Sequence, residues 1–117
     1  MKENIIVTKS YAFAVRVVKF CFDMQTKNRE FVLSKQLLKS GTSIGANVEE
    51  AQGAISKAEF IAKIQIALKE AKESKYWIRL IIDTSIFDSA EKEQLLADCT
   101  ELIILLTSIL KTAKAPK

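Results

Sequence analysis

The sequence predicts an all-α fold, an antiparallel up-down-up-down four-helix bundle. Three observations predict it. Apolar residues recur at helical spacing along nearly the whole of the 117 residues. Gly occurs three times and Pro once, too rarely for the turns of a β fold. The polar segments between the periodic stretches are short, which favours antiparallel neighbours. A chain of this length buries about two-thirds of its unfolded surface around one core, so a single domain is expected over residues 1–117, with helices near 8–25, 34–52, 56–84 and 88–114.

Over 8–25 the apolar residues divide into two stripes when laid out at about 100° per residue. Tyr11, Ala14, Val15, Val18 and Phe22 form one; Phe13, Val17, Phe20 and Met24 form the other; Lys9, Arg16, Lys19 and Asp23 lie mainly between. A helix apolar on two sides must be covered on two sides. The expectation assigns the Tyr11 stripe to the bundle core and Phe13, Val17, Phe20 and Met24 to an oligomer interface, joined by apolar residues such as Ile66, Trp77, Leu80, Ile104 and Leu105.

The second helix is expected to start at Ser34, a good N-cap residue. Leu37, Leu38, Gly41, Ile44, Gly45, Val48 and Ala51 then share an arc of about 140°. Gly41 and Gly45, four apart on that stripe, read as helix-packing residues whose missing side chains let a neighbour come close. The stretch "SGTSIGAN" resembles a phosphate loop only superficially, since it lacks the preceding strand and the Gly-Lys-Ser/Thr ending. Ser40, Ser43, Asn47 and Glu50 run beside the apolar arc. They are either a boundary row at the bundle edge or a polar network, through Ser43 and Asn47, that fixes helix register.

Gly53 is placed as a C-terminal cap, and the third helix opens with Ser56 and Glu59 at capping-box spacing, with Ile55 set to staple on Phe60. Its core stripe is Phe60, Ile64, Ala67, Leu68, Ala71, Ile78 and Ile82. On its surface Lys69, Lys72, Tyr76 and Arg79 form a basic, partly aromatic ridge that, with Arg16 and Lys19, is the candidate nucleic-acid contact; a solvated face is the competing reading. Asp88 and Glu91 offer a second capping box for the last helix, in which Leu95, Leu96, Cys99, Leu102, Ile103, Leu106, Ile109 and Leu110 share a face. The final KTAKAPK is expected to fray.

The chain has no His, which removes the commonest general base and metal ligand, and its two Cys lack metal spacing. A non-enzyme without cofactor or metal is expected, with Cys21 and Cys99 acting as small hydrophobes. Glu3 and Lys9 interrupt any signal core, and no uncharged apolar run approaches the roughly 20 residues of a membrane span, so a cytoplasmic location is expected. The net charge is +4, with the basic excess in residues 1–48.

Residues 36–81, through the block SGTSIGAN and the later EF, IALKEA and YW, resemble the core signature of the four-helix bundle protein family, also called 23S rRNA-intervening-sequence proteins. The resemblance implies a bundle that assembles into a ring, typically a homopentamer. It also implies kinship with accessory proteins of diversity-generating retroelements, basic rings that bind a reverse transcriptase and nucleic acid. The functional expectation is an oligomeric binding module for RNA, DNA or a nucleic-acid-processing protein; the alternative is a protein-interaction scaffold with no nucleic-acid role.

Overall fold

The computed structural model describes residues 4–116, which form α1 (Ile5–Lys27), α2 (Val32–Gln52), α3 (Lys57–Thr84) and α4 (Lys92–Lys114), with no strand among the described residues. Each helix packs on its neighbour in sequence and α4 returns to α1, leaving α1 and α3 on a diagonal of the bundle. Cross-helix contacts give the directions. Asn4, before α1, donates to Gln52 at the end of α2 at 2.9 Å. Ser40 and Glu50 of α2 meet Ser74 and Lys63 of α3 in reverse order, and Lys9 and Arg16 of α1 meet Glu101 and Asp98 of α4 likewise. Neighbours therefore run antiparallel, and the bundle measures 50 × 25 × 22 Å.

The helix starts illustrate how backbone donors find partners. Ser56 caps α3: its Oγ accepts from the Glu59 N–H at 3.0 Å, while the Glu59 carboxylate accepts from the Ile55 N–H at 3.1 Å. The reciprocal bond thus reaches one residue further back than in the usual box. The expected staple is absent, because Ile55 is 94% exposed. For α2 the cap is not Ser34 but Glu30, whose carboxylate accepts from the N–H groups of Val32, Leu33 and Ser34 at 3.1, 3.0 and 2.8 Å. Arg29, at φ 51°, turns the chain so that Glu30 can reach them. Ser34 is buried inside the first turn and donates to the Glu30 carbonyl at 2.7 Å.

The expected box at Asp88 and Glu91 does not form. The Asp88 carboxylate is taken by Lys92 Nζ at 2.8 Å, and the Ser89 hydroxyl accepts from the Glu91 N–H at 3.2 Å, so α4 begins only at Lys92. The connection before it is held to α1 by Phe87 against Phe20, edge to face with centroids 5.4 Å apart, and by Asn28 Nδ2 donating to the Ile86 carbonyl at 2.5 Å.

The core reverses the expectation for α1. Phe13, Val17, Phe20 and Met24 are buried inside the bundle of their own chain, together with Ser10 and Cys21. Tyr11, Val15, Val18 and Phe22 are the exposed stripe, Tyr11 at 66% and Phe22 at 64%. Periodicity cannot rank two apolar stripes; the neighbours do. Gly41 lies against Val17, where a Cβ would come within 2.8 Å of Val17 Cγ1, and at Gly45 a Cβ would come within 3.3 Å of the Ser10 carbonyl. The side of α1 that carries Ser10 and Val17 is therefore the one that α2 approaches. Along α3 the fully buried line is Ile64, Ala67, Ala71, Ser74, Ile78 and Ile81, with Phe60, Leu68 and Ile82 half-buried. No helix among the described residues is long and apolar enough to cross a membrane.

Candidate nucleic-acid interface

At about 100° per residue Lys69, Lys72, Tyr76 and Arg79 occupy an arc of about 80° on α3, and all four are exposed. Lys75, half-buried, extends the arc toward α4, close enough to Cys99 for its charge to be felt there. None of these four cations closes an ion pair among the described residues. The pairs that do close are Lys9–Glu101, Arg16–Asp98, Lys27–Asp23, Lys63–Glu50 and Lys92–Asp88. Glu73 and Asp83 stand four residues beyond Lys69 and Arg79, a spacing at which a helix surface allows pairing, yet neither contact is made. Glu70 lies on the α2 side, one turn before Ser74. Lys69 to Lys72 to Lys75 to Arg79 is a succession of like-charge neighbours at i+3 or i+4, mildly unfavourable to the isolated helix by a few tenths of a kcal/mol each.

Tyr76 stands within this arc, 53% exposed. Its ring meets Trp77 edge to face, with centroids 5.0 Å apart and planes at 74°. Trp77 is half-buried and its Nε1 has no hydrogen-bond acceptor, so packing alone holds the indole.

Arg16 and Lys19 do not join the ridge. They lie on α1, diagonal to α3, and Arg16 is engaged with Asp98 of α4, which also accepts from Gln94 Nε2 at 2.8 Å. With Lys9–Glu101 at 3.1 Å, this pair lines the α1/α4 seam, a structural use that sequence spacing within one helix cannot reveal. Lys19 is exposed, but it faces a hollow shared with Asp23 and Glu91, which offset its charge.

The polar stripe of α2 also behaves differently from the expected network. Ser43 donates to the Lys39 carbonyl at 2.6 Å and Asn47 to the Ser43 carbonyl at 2.8 Å, both inside their own helix. The contact between helices is made by Ser40, whose hydroxyl lies 2.9 Å from that of Ser74, both buried. The sequence signal for it was Ser40 itself, the member of the row nearest the apolar arc. A hydroxyl there can satisfy itself on the i−3 or i−4 carbonyl and still reach across, and Ser74 also donates to the Glu70 carbonyl at 2.8 Å.

Both cysteines are buried, and burial raises each thiol from an ordinary 9.0 to about 12. Glu30 adds to the rise at Cys21, while Lys75 opposes it at Cys99. Cys99 Sγ donates to the Ala71 carbonyl at 3.2 Å. A protonated, enclosed thiol is no nucleophile.

The family model described as 23S rRNA-intervening sequence protein matches residues 2–108. The chain belongs to the 23S rRNA-intervening sequence protein family. A protein of unknown function from the S23 ribosomal protein family of Bacteroides thetaiotaomicron VPI-5482, known from a crystal structure, is 48% identical to this chain. It superposes with a TM-score of 0.87, over 91% of this chain and 98% of that one. No curated protein matches the chain.

Proposed function

We propose that this protein is a non-enzymatic binding module that assembles with copies of itself and offers the α3 ridge to nucleic-acid phosphates. The observation that carries the reading is the run of four cations, Lys69, Lys72, Lys75 and Arg79, on one face of α3, none of which closes an ion pair among the described residues although Glu73 and Asp83 lie on or beside the same face. Phosphate contacts of this kind release counterions, and the affinity then falls steeply with salt. The candidate assembly surface is the α1 stripe of Tyr11, Val15, Val18 and Phe22. Ring closure needs a second, different patch, for which the exposed Ile104 on α4 is the candidate.

A salt-titrated binding assay against structured RNA and duplex DNA tests the ridge. Replacing Lys69, Lys72 and Arg79 together by Gln should weaken binding about equally across sequences and flatten the salt slope by up to roughly 0.9 per lost duplex phosphate contact. An unchanged slope would remove the ridge from the site. Absence of binding by the parent protein at low salt would favour a scaffold whose charges serve solubility.

A further inference from the structure

We propose that the α3 ridge takes single-stranded rather than duplex nucleic acid, with Tyr76 as the stacking platform for an unpaired base and Lys69, Lys72, Lys75 and Arg79 holding the phosphates on either side. This rests on the nucleic-acid reading above and narrows it to one substrate class.

Two features of the structure separate the strands. The first is shape. The ridge lies along the middle of α3, which is flanked by α2 and α4 in a bundle 25 × 22 Å across. The major groove of a duplex is about 12 Å wide, room for a single protruding helix and not for one embedded between two others. A duplex could therefore touch this face only by its outer phosphates, leaving Tyr76 without a partner because paired bases already cover one another's faces.

The second feature is the ring itself. Tyr76 is half exposed on a face that is otherwise mostly charged. Trp77 meets it edge to face, and in that geometry at least one face of the Tyr76 ring stays clear of the indole. The contact also limits the ring's freedom, so less entropy is lost when a base settles on it. Lys72 and Arg79, four residues before and three after Tyr76, share its surface on the helix, as do Glu73 and Leu80. A braced aromatic between two cations is the combination that binds unpaired strands with little sequence preference.

The experiment compares fluorescence-polarisation titrations of a labelled oligothymidylate and a duplex of equal length, using the full chain at low salt, with quenching of Trp77, the single tryptophan, as a second readout. The expected result is tighter binding of the oligothymidylate, a loss of about tenfold on Tyr76→Leu, retention on Tyr76→Phe, and no change of duplex binding in either variant. Circular dichroism of both variants should match the parent, since the side chain lies on the surface. If the parent binds the duplex as tightly as the single strand, or if Tyr76→Leu binds oligothymidylate like the parent, this inference is overturned and the phosphate-binding reading stands. If the parent binds neither probe, that reading falls and takes this inference with it.

Discussion

The three glycines of the chain have three different relations to their surroundings. Gly41 is a close-packing position: a Cβ would come within 2.8 and 2.9 Å of the two Val17 methyl carbons. Gly41→Ala should therefore destabilise the protein by about 1 to 3 kcal/mol, the usual range for overpacking. Val17→Ala in the same chain should recover part of the loss, and a double-mutant cycle in urea showing strict additivity would remove this contact from the explanation. Gly53 ends α2 with φ −97°, not the left-handed conformation that a glycine cap usually supplies, and a Cβ there would meet only the Glu50 carbonyl, at 3.8 Å. Alanine fits such a backbone, so Gly53→Ala should stabilise by about 0.4 to 1 kcal/mol through the unfolded chain. A fall in melting temperature would contradict this. At Gly45 the neighbour is backbone, the Ser10 carbonyl, which cannot rotate away.

The buried thiols give a pH dependence of definite sign. In the unfolded chain each ionises near its ordinary 9.0, whereas in the fold each holds its proton until about 12. Between those values the folded state binds more protons than the unfolded state, so this contribution to stability is complete below about pH 9 and is lost as pH rises toward 12. Urea midpoints should fall across that window, and fall less steeply in Cys21→Val and Cys99→Val. If neither variant changes the slope, the decline belongs to other groups.

At the scale of the element, α1 is the informative case because its two faces are nearly equally apolar. The structure gives them opposite roles, Phe13 being 2% exposed and Phe22 64%. Phe13→Ala should cost about 3 to 5 kcal/mol, in the range for removing a buried aromatic, whereas Phe22→Ala in the isolated chain should stay within about 0.5 kcal/mol. Thermal melts of the two variants at a concentration where the chain is monomeric make the comparison, and equal losses would mean that Phe22 is also covered in the folded monomer. Two signs in the sequence favoured this outcome. Tyr11 carries a hydroxyl that needs water or a partner, and the Phe13 stripe is flanked by the small Ser10 and Cys21, which suit a close approach by glycines. The helix starts divide in the same way. Ser56 and Glu59 were legible because a cap is made between residues a few positions apart; Glu30 and Asp88 were not, since Glu30 depends on the left-handed turn at Arg29 and Asp88 on the competing Lys92.

For the whole molecule, the exposed line of Tyr11, Val15, Val18 and Phe22 is the surface whose burial would favour assembly. Full burial of such side chains is worth about 1.5 to 3 kcal/mol each, against an association cost of roughly 4 to 15 kcal/mol, so the line needs the support of a second patch. Under the proposed function, light scattering after size exclusion should show an oligomer at micromolar concentration, and Tyr11→Glu with Phe22→Glu should yield smaller species that stay helical and fold as before. A parent that runs as a monomer would count against the assembly. The corresponding change at Phe13 and Phe20 should unfold the bundle, because both lie in its core and a charge buried there has no partner.

The sequence by itself determined the class of fold, the family, the number and approximate bounds of the helices, the capped start of α3 and the arc shared by Lys69, Lys72, Tyr76 and Arg79. The family follows from the resemblance of residues 36–81 to its signature, and the rest from periodicity and short-range contacts, which fix the angle of a side chain around its own helix axis. Only the tertiary structure decided which α1 stripe is core, that Arg16 is engaged with Asp98, that Ser40 rather than Ser43 or Asn47 reaches another helix, and that the basic residues of α1 and α3 lie on diagonal helices. Each depends on which neighbour stands at a given angle, and that is set by how four helices close into one bundle.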